Sequence, residues 1–245
     1  MSEAWPVHRF ETIDSTNSEA RRRAKAGGFA DCWIVAAEQT AGRGRLQRHW
    51  VSPKGNLFAT ALFHEPGGVQ VAARLPFAAS LAVSDTILHF APGADARLKW
   101  PNDVRVDGGK VSGILIETGQ DGKNVWVAAG MGLNVAEAPE GTGQPVTSLR
   151  ILAPEGDFDA TAVFEVLAAR FAARLEQART GFASVRLDWL ARAEGLGKAV
   201  RIAPGGEPVE GVFEDMAPDG ALILRLPDGS RQTIRAGDVQ LVGGN

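Results

Sequence analysis

The chain has 245 residues, with 26 Lys and Arg against 29 Asp and Glu, a formal net charge of -3 and 44% hydrophobic residues. That length suits one large domain or one large and one small. The charge balance excludes a generally basic nucleic-acid-coating protein, and the composition excludes a disordered one. A single cysteine, Cys32, excludes an internal disulfide and a multi-cysteine zinc site and fits a reducing, cytoplasmic setting, while no signal peptide and no apolar run near the ~18 residues of a membrane span is read.

Ser15-Thr16-Asn17 offers N-cap chemistry for a short helix over Glu19–Ala24 that ends at Gly27-Gly28. Cys32–Ala37 and Asn56–Phe63 read as buried strands, and Val71–Phe90 as one long helix. Arg97–Trp100, Lys110–Glu117 and Val125–Ala129 read as strands, with Asp107-Gly108-Gly109 as a turn and Gly141–Pro145 as a surface loop. Asp159–Arg179 is an amphipathic helix, because Val163, Leu167, Phe171 and Leu175 share a face. Val185–Ala193 reads as one more short helix.

After Gly195-Leu196-Gly197 the pattern changes. Short apolar runs at Ala199–Ala203, Val209–Phe213, Ala221–Leu226, Gln232–Ile234 and Val239–Val242 alternate with Pro204-Gly205-Gly206, Pro218-Asp219-Gly220, Pro227-Asp228-Gly229 and Ala236-Gly237-Asp238. Closely spaced short strands with such turns predict a small barrel. The reading is therefore a mixed α/β unit over 1–194 and a barrel over 195–245.

Three segments carry chemistry. In Gly42-Arg43-Gly44-Arg45-Leu46-Gln47-Arg48-His49-Trp50, glycines let backbone N–H groups approach an anion, arginines present forked donors, and an indole follows. This suits a ligand with a flat ring and a phosphate; spacing alone leaves a solvated basic loop equally open. In Lys99-Trp100-Pro101-Asn102-Asp103 a proline turn presents an amide and a carboxylate, suited to a base edge and Mg²⁺, although a plain Asx turn explains Asn-Asp alone. In Lys110-Val111-Ser112-Gly113-Ile114-Leu115-Ile116-Glu117 a lysine opens an apolar strand and Gly113 permits close approach of a ligand, where a lysine more often snorkels to water. No Walker loop and no G-x-S-x-G elbow occurs. Gly130-Met131-Gly132-Leu133-Asn134 lacks the last glycine of a dinucleotide fingerprint, and His8, His49, His64 and His89 have no metal spacing.

In this order the three segments resemble the motifs of biotin protein ligases, the biotin–[acetyl-CoA-carboxylase] ligases. Ser15-Thr16-Asn17, Gln39 and Gly132-Leu133-Asn134 match the family's further signatures. The resemblance implies an α/β fold like the class II aminoacyl-tRNA synthetase core, followed by an SH3-like barrel. It implies that biotin's carboxylate attacks the α-phosphate of ATP, with Mg²⁺ as activator, to give biotinyl-5′-AMP. A lysine of a biotin carboxyl carrier protein then takes the biotinyl group.

On that resemblance Lys110, Arg43 and Arg45 are catalytic. Biotin is bound by Ser15, Thr16, Asn17, Gln39, Arg43, Gly44, Arg45, Lys110 and Gly113. ATP is bound by Arg45, Arg48, Trp50, Asn102, Lys110 and Asn134, and Asp103 is the metal candidate. Gln47 stands where the family has a third loop glycine, and His49 takes a variable position. Ser15-Thr16-Asn17 lies too near the start to leave room for the DNA-binding helix-turn-helix of regulatory members, so a ligase without repressor function, specific DNA or membrane is expected, with a homodimer admitted. Loop 42–50 is expected to order only around a ligand anion, and a chain ending near Gly195 is expected still to bind biotin. The rivals are a lipoate ligase or octanoyltransferase of the same fold, and a nucleic-acid-binding module.

Overall fold

The computed structural model of the chain describes residues 5–122, 124–203 and 207–242. Seven strands form the main sheet: β1 (Val7–Ile13), β2 (Cys32–Gln39), β3 (Leu57–Glu65), β4 (Ala96–Lys99), β5 (Asp103–Val106), β6 (Gly109–Asp121) and β7 (Asn124–Leu133). Their order is β1-β2-β3-β7-β6-β5-β4, antiparallel except for β1 with β2. The helices are α1 (Thr16–Ala26), α2 (Gly68–Ala72), α3 (Leu75–Phe90), α4 (Leu149–Leu152), α5 (Ala160–Thr180) and α6 (Phe182–Leu190). A second, antiparallel sheet holds β8 (Ala199–Ala203), β9 (Val209–Met216), β10 (Leu222–Arg225), β11 (Arg231–Ile234) and β12 (Asp238–Leu241), in the order β11-β10-β9-β8-β12.

The central strands read as continuous apolar runs because both faces of the sheet are covered. Along β2, Trp33 and Val35 enter the large core under α3 and α5, while Cys32 and Ile34 enter a smaller one against Ala20 and Ala24 of α1. That is the period of two expected of a strand. Asp159 caps α5 by accepting from Ala162 N at 2.8 Å, and the predicted stripe Val163, Leu167, Phe171 and Leu175 is buried.

Several elements differ from the reading of the sequence. The helix predicted over Val71–Phe90 is two helices: α2 ends at Ala72, and Pro76 takes a first-turn position of α3, where its missing N–H costs nothing. By composition Gly68–Phe90 is apolar enough for a membrane span, yet it is mostly buried inside this fold. Strand β1 was missed because most of its residues are exposed and carry no apolar pattern. Strand β5 is four residues between two turns, too short for periodicity to register. Helix α6 stops at Leu190, and the chain then adds to the edge of β4, with Leu98 N donating to Arg192 O and Glu194 N to Leu98 O, both at 2.9 Å. The turn expected at Pro204-Gly205-Gly206 lies outside the described residues.

The second sheet shares its core with the first. Val200, Ile202, Phe213, Met216 and Leu222 belong to the same buried cluster as Phe77, Trp100 and Trp189. Trp189 and Phe213 lie 6.5 Å apart, and Trp100 Nε1 donates to Gly220 O at 3.1 Å.

Candidate active site

Residues 42–50 form a tight hairpin. Trp50 N donates to Gly42 O at 2.9 Å, Gly44 N to Arg48 O at 2.8 Å, and Arg48 N to Arg45 O at 3.1 Å. Its two turn residues, Leu46 (φ 53) and Gln47 (φ 58), are both left-handed, the pattern of a type I′ turn, which favours Asn-Gly. Each non-glycine residue there costs about 1–2 kcal/mol. Gly42 is required by packing, since a Cβ would run into Trp50 O and Ser52 Oγ; at Gly44 the nearest atom would stand 3.6 Å away.

The arginines of this hairpin diverge. Arg43 turns toward the sheet: Nη2 donates to Ser18 Oγ at 3.1 Å and lies 3.4 Å from Glu117 Oε2, and its buried Nε has no partner. Arg45 Nη1 donates to Asn102 Oδ1 at 3.1 Å and stands 3.8 Å from Asp238 Oδ1. Arg48 Nη2 donates to Asp238 Oδ2 at 2.6 Å. Like charges in one hairpin repel, and here carboxylates of the chain itself, Glu117 and Asp238, answer them.

The Trp50 indole lies against Gly113 and Gly132, which are register partners on β6 and β7. A Cβ at Gly113 would stand 2.9 Å from the indole, and one at Gly132 2.8 Å. The close approach anticipated at Gly113 is therefore made by Trp50. The Lys110 ammonium sits 5.2 Å from the centroid of the same ring and 2.8 Å from Asp103 Oδ1. Lys110 is mostly buried and paired, not snorkelled to water.

Asp103 opens β5 instead of ending an Asx turn. A carboxylate facing an ammonium is a poor seat for a second cation. Among the described residues no cluster of three His, Cys, Asp or Glu gathers for a metal. The residues present do not fit a protein-held Mg²⁺. Asn102 anchors the turn to β6, Nδ2 donating to Ile114 O at 2.9 Å; its Oδ1 faces Arg45, which leaves one N–H and one lone pair of the amide for a ligand. Asn134 is buried and gives Nδ2 to Thr147 O at 3.0 Å, which fixes the segment after β7.

Beside these cations lies a hydrogen-bonding network built mainly from uncharged side chains. Ser15 stands at the N-cap of α1 but makes no side-chain cap bond. Gln39 Oε1 instead accepts from Thr16 N at 2.8 Å and from Thr16 Oγ1 at 3.2 Å, and Gln39 Nε2 donates to Ser52 Oγ at 3.0 Å. Asn17 gives Nδ2 to Glu117 Oε2 at 2.9 Å and to Leu115 O at 3.2 Å, with its Oδ1 2.8 Å from Thr60 Oγ1. Its amide therefore shapes the slot, and a Cβ at Gly130 would collide with it.

Every site residue singled out from the motifs lines one cavity of about 730 Å³, within the range of small-ligand sites. The sequence reading missed Asp238 and Gln240 of β12, which also line it, and the supports Ser52 and Thr60. Gly141–Pro145 are exposed, as expected of a surface loop, and Gly141, Thr142, Gly143 and Gln144 also line the cavity. Two glycines flanking polar residues were the available signal for that segment; nothing local marks Asp238.

Residues 10–134 match the Biotin/lipoate A/B protein ligase family, and residues 195–242 match the Biotin protein ligase C terminal domain. The chain is 42% identical over 233 residues to the biotin–[acetyl-CoA-carboxylase] ligase of Paracoccus denitrificans, covering 92% of this chain and 96% of that one. It is 37% identical over 231 residues to the ligase of the same name from Mycobacterium tuberculosis, covering 92% and 85%. The biotin protein ligase of Aquifex aeolicus, solved with biotin and ATP, superposes with a TM-score of 0.83 at 26% identity, over 97% of this chain and 98% of that one. The chain belongs to the biotin/lipoate A/B protein ligase family. The C-terminal match and the two relatives put it, within that family, among the biotin protein ligases.

Proposed function

We propose that the protein activates biotin with ATP to biotinyl-5′-AMP and transfers the biotinyl group to a lysine of a biotin carboxyl carrier protein, in acetyl-CoA carboxylase or another biotin-dependent carboxylase. The observation that carries this reading is one cavity with a neutral network at Thr16–Gln39–Ser52 and a cationic wall at Arg45 and Lys110. The neutral end suits an uncharged cyclic urea, which needs paired donors and acceptors. The cationic wall suits a carboxylate and a phosphate.

In the first step the biotin carboxylate oxygen bonds to the α-phosphorus and pyrophosphate leaves. Two anions must approach, so catalysis is mainly positioning and charge neutralisation. Lys110 stands between them, held by Asp103, and Arg45 with the backbone of Gly44 closes the other side. Arg48 faces the outer phosphates. Trp50, on its Gly113–Gly132 shelf, provides an aromatic platform beside the adenylate, and Asn102 and Asn134 hold the turns around it. Arg43, tied to Ser18 and Glu117, anchors the hairpin base. In the second step the carrier's lysine amine attacks the acyl carbon and AMP leaves. Magnesium would enter as the counter-ion of ATP and would offset charge on the triphosphate.

In this reading residues 1–194 form the class II synthetase-like ligase unit and 195–245 an SH3-like barrel. The enzyme works in the cytoplasm. The test is biotin-dependent pyrophosphate release from ATP, followed by labelling of a carrier domain. Release with lipoate or octanoate and none with biotin would overturn the substrate assignment.

A further inference from the structure

Strand β12 belongs to the small C-terminal sheet, yet it reaches the cavity. Val239 points into the core, while Asp238 and Gln240, on the opposite face, both line the cavity, as alternation requires. Asp238 is presented from a fixed point. Gly237 before it has φ 139, and a Cβ there would stand 2.6 Å from Ile202. The Asp238 carboxylate accepts from Arg48 at 2.6 Å and lies 3.8 Å from Arg45, which also holds Asn102. Its hydrogen bonds go to none of Thr16, Gln39 and Ser52.

We propose that Asp238 is a positioning residue for the nucleotide half of the reaction: it braces Arg45 and Arg48 from the C-terminal sheet so that their remaining N–H groups face the polyphosphate. The inference rests on the function proposed above. Two features make a brace necessary. The hairpin carrying both arginines turns through Leu46 and Gln47, whose left-handed backbone does not favour that shape by itself. A guanidinium with five donors can also give one edge to a carboxylate and keep the other for phosphate. One carboxylate against two guanidiniums leaves the wall cationic. Asp238 is 39% exposed, so its own repulsion of phosphate is screened by water.

The experiment compares full-length wild type, Asp238→Asn, Asp238→Glu, Arg48→Ala and the Asp238→Asn/Arg48→Ala double variant, all checked for unchanged thermal melting. In Asp238→Asn, KM for ATP rises about three- to tenfold while kcat and KM for biotin stay within about twofold, the size expected of a half-exposed charge pair. Asp238→Glu restores most of the loss, and the double variant is no worse for ATP than Arg48→Ala alone. ATP affinity by calorimetry on the same proteins needs no turnover, so it tests the brace even if biotin proves not to be the acid activated. An unchanged or lower KM and Kd for ATP in Asp238→Asn would overturn the proposal, because the carboxylate would then be only a competing counter-ion. Equal losses for ATP and biotin would overturn it too.

Discussion

The ammonium of Lys110 and the carboxylate of Asp103 meet at 2.8 Å between neighbouring strands, with 14% and 16% of their side chains exposed. The pair is shielded enough for its geometry to matter. The carboxylate holds the ammonium in place at the cavity wall, and the indole of Trp50 lies against it. Lys110→Ala is expected to lower pyrophosphate release by at least about 100-fold while biotin affinity falls less than about tenfold, because the two anions approach only in the transition state. Asp103→Asn should lose less, about tenfold, and mainly in kcat. Near-normal pyrophosphate release by Lys110→Ala would remove Lys110 from the mechanism.

Gly132→Ala is expected to displace Trp50, since a Cβ would press 2.8 Å from its ring. The strain of overpacking is about 1–3 kcal/mol. Tryptophan emission should shift, and adenylate binding should weaken more than overall stability. A Gly132→Ala protein with native emission and native affinity for a non-hydrolysable biotinyl-adenylate would show that the shelf does not set the ring's place.

A chain ending at residue 194 is expected to fold poorly, against the expectation drawn from sequence alone. Removing the second sheet uncovers Phe77, Trp100 and Trp189, and each large apolar side chain exposed costs roughly 1.5–3 kcal/mol. That sum is a large part of the ~5–15 kcal/mol that holds a domain together. Circular dichroism melting decides it. A cooperative transition within about 5 °C of the full chain, with biotin still bound, would make the two units independent.

Acid should weaken the start of α1. The Arg22 guanidinium holds the Asp14 carboxyl at about 2, below its ordinary 3.8. A lowered folded-state value stabilises the fold above the unfolded value, and that contribution is lost as pH falls from about 4 toward 2. Both side chains are more than a third exposed, so the effect is no more than about 1 kcal/mol. Denaturant unfolding of wild type and Asp14→Asn from pH 7 to pH 2 should show a stability gap that closes over that interval. A gap that widened on acidification would contradict the assignment.

The sequence by itself determined the elements with strong periodicity and the three segments that come together around the cavity. The α5 stripe and the apolar runs of β2 and β3 were legible because burial on fixed faces leaves a pattern in neighbouring residues. The site was legible because Gly42–Trp50, Lys99–Asp103 and Lys110–Glu117 each keep their chemistry within one short stretch. Contacts between distant stretches left no such mark. Only the tertiary structure decided that Arg43 faces Glu117 while Arg45 and Arg48 face Asp238, that Asp103 pairs with Lys110, and that Gly113 makes room for Trp50. Asp238 follows Arg48 by 190 residues and read locally as the end of a turn. The sheet that brings it to the hairpin is held there by a core shared across both halves of the chain, and such packing is a property of the folded surfaces, not of any window of sequence.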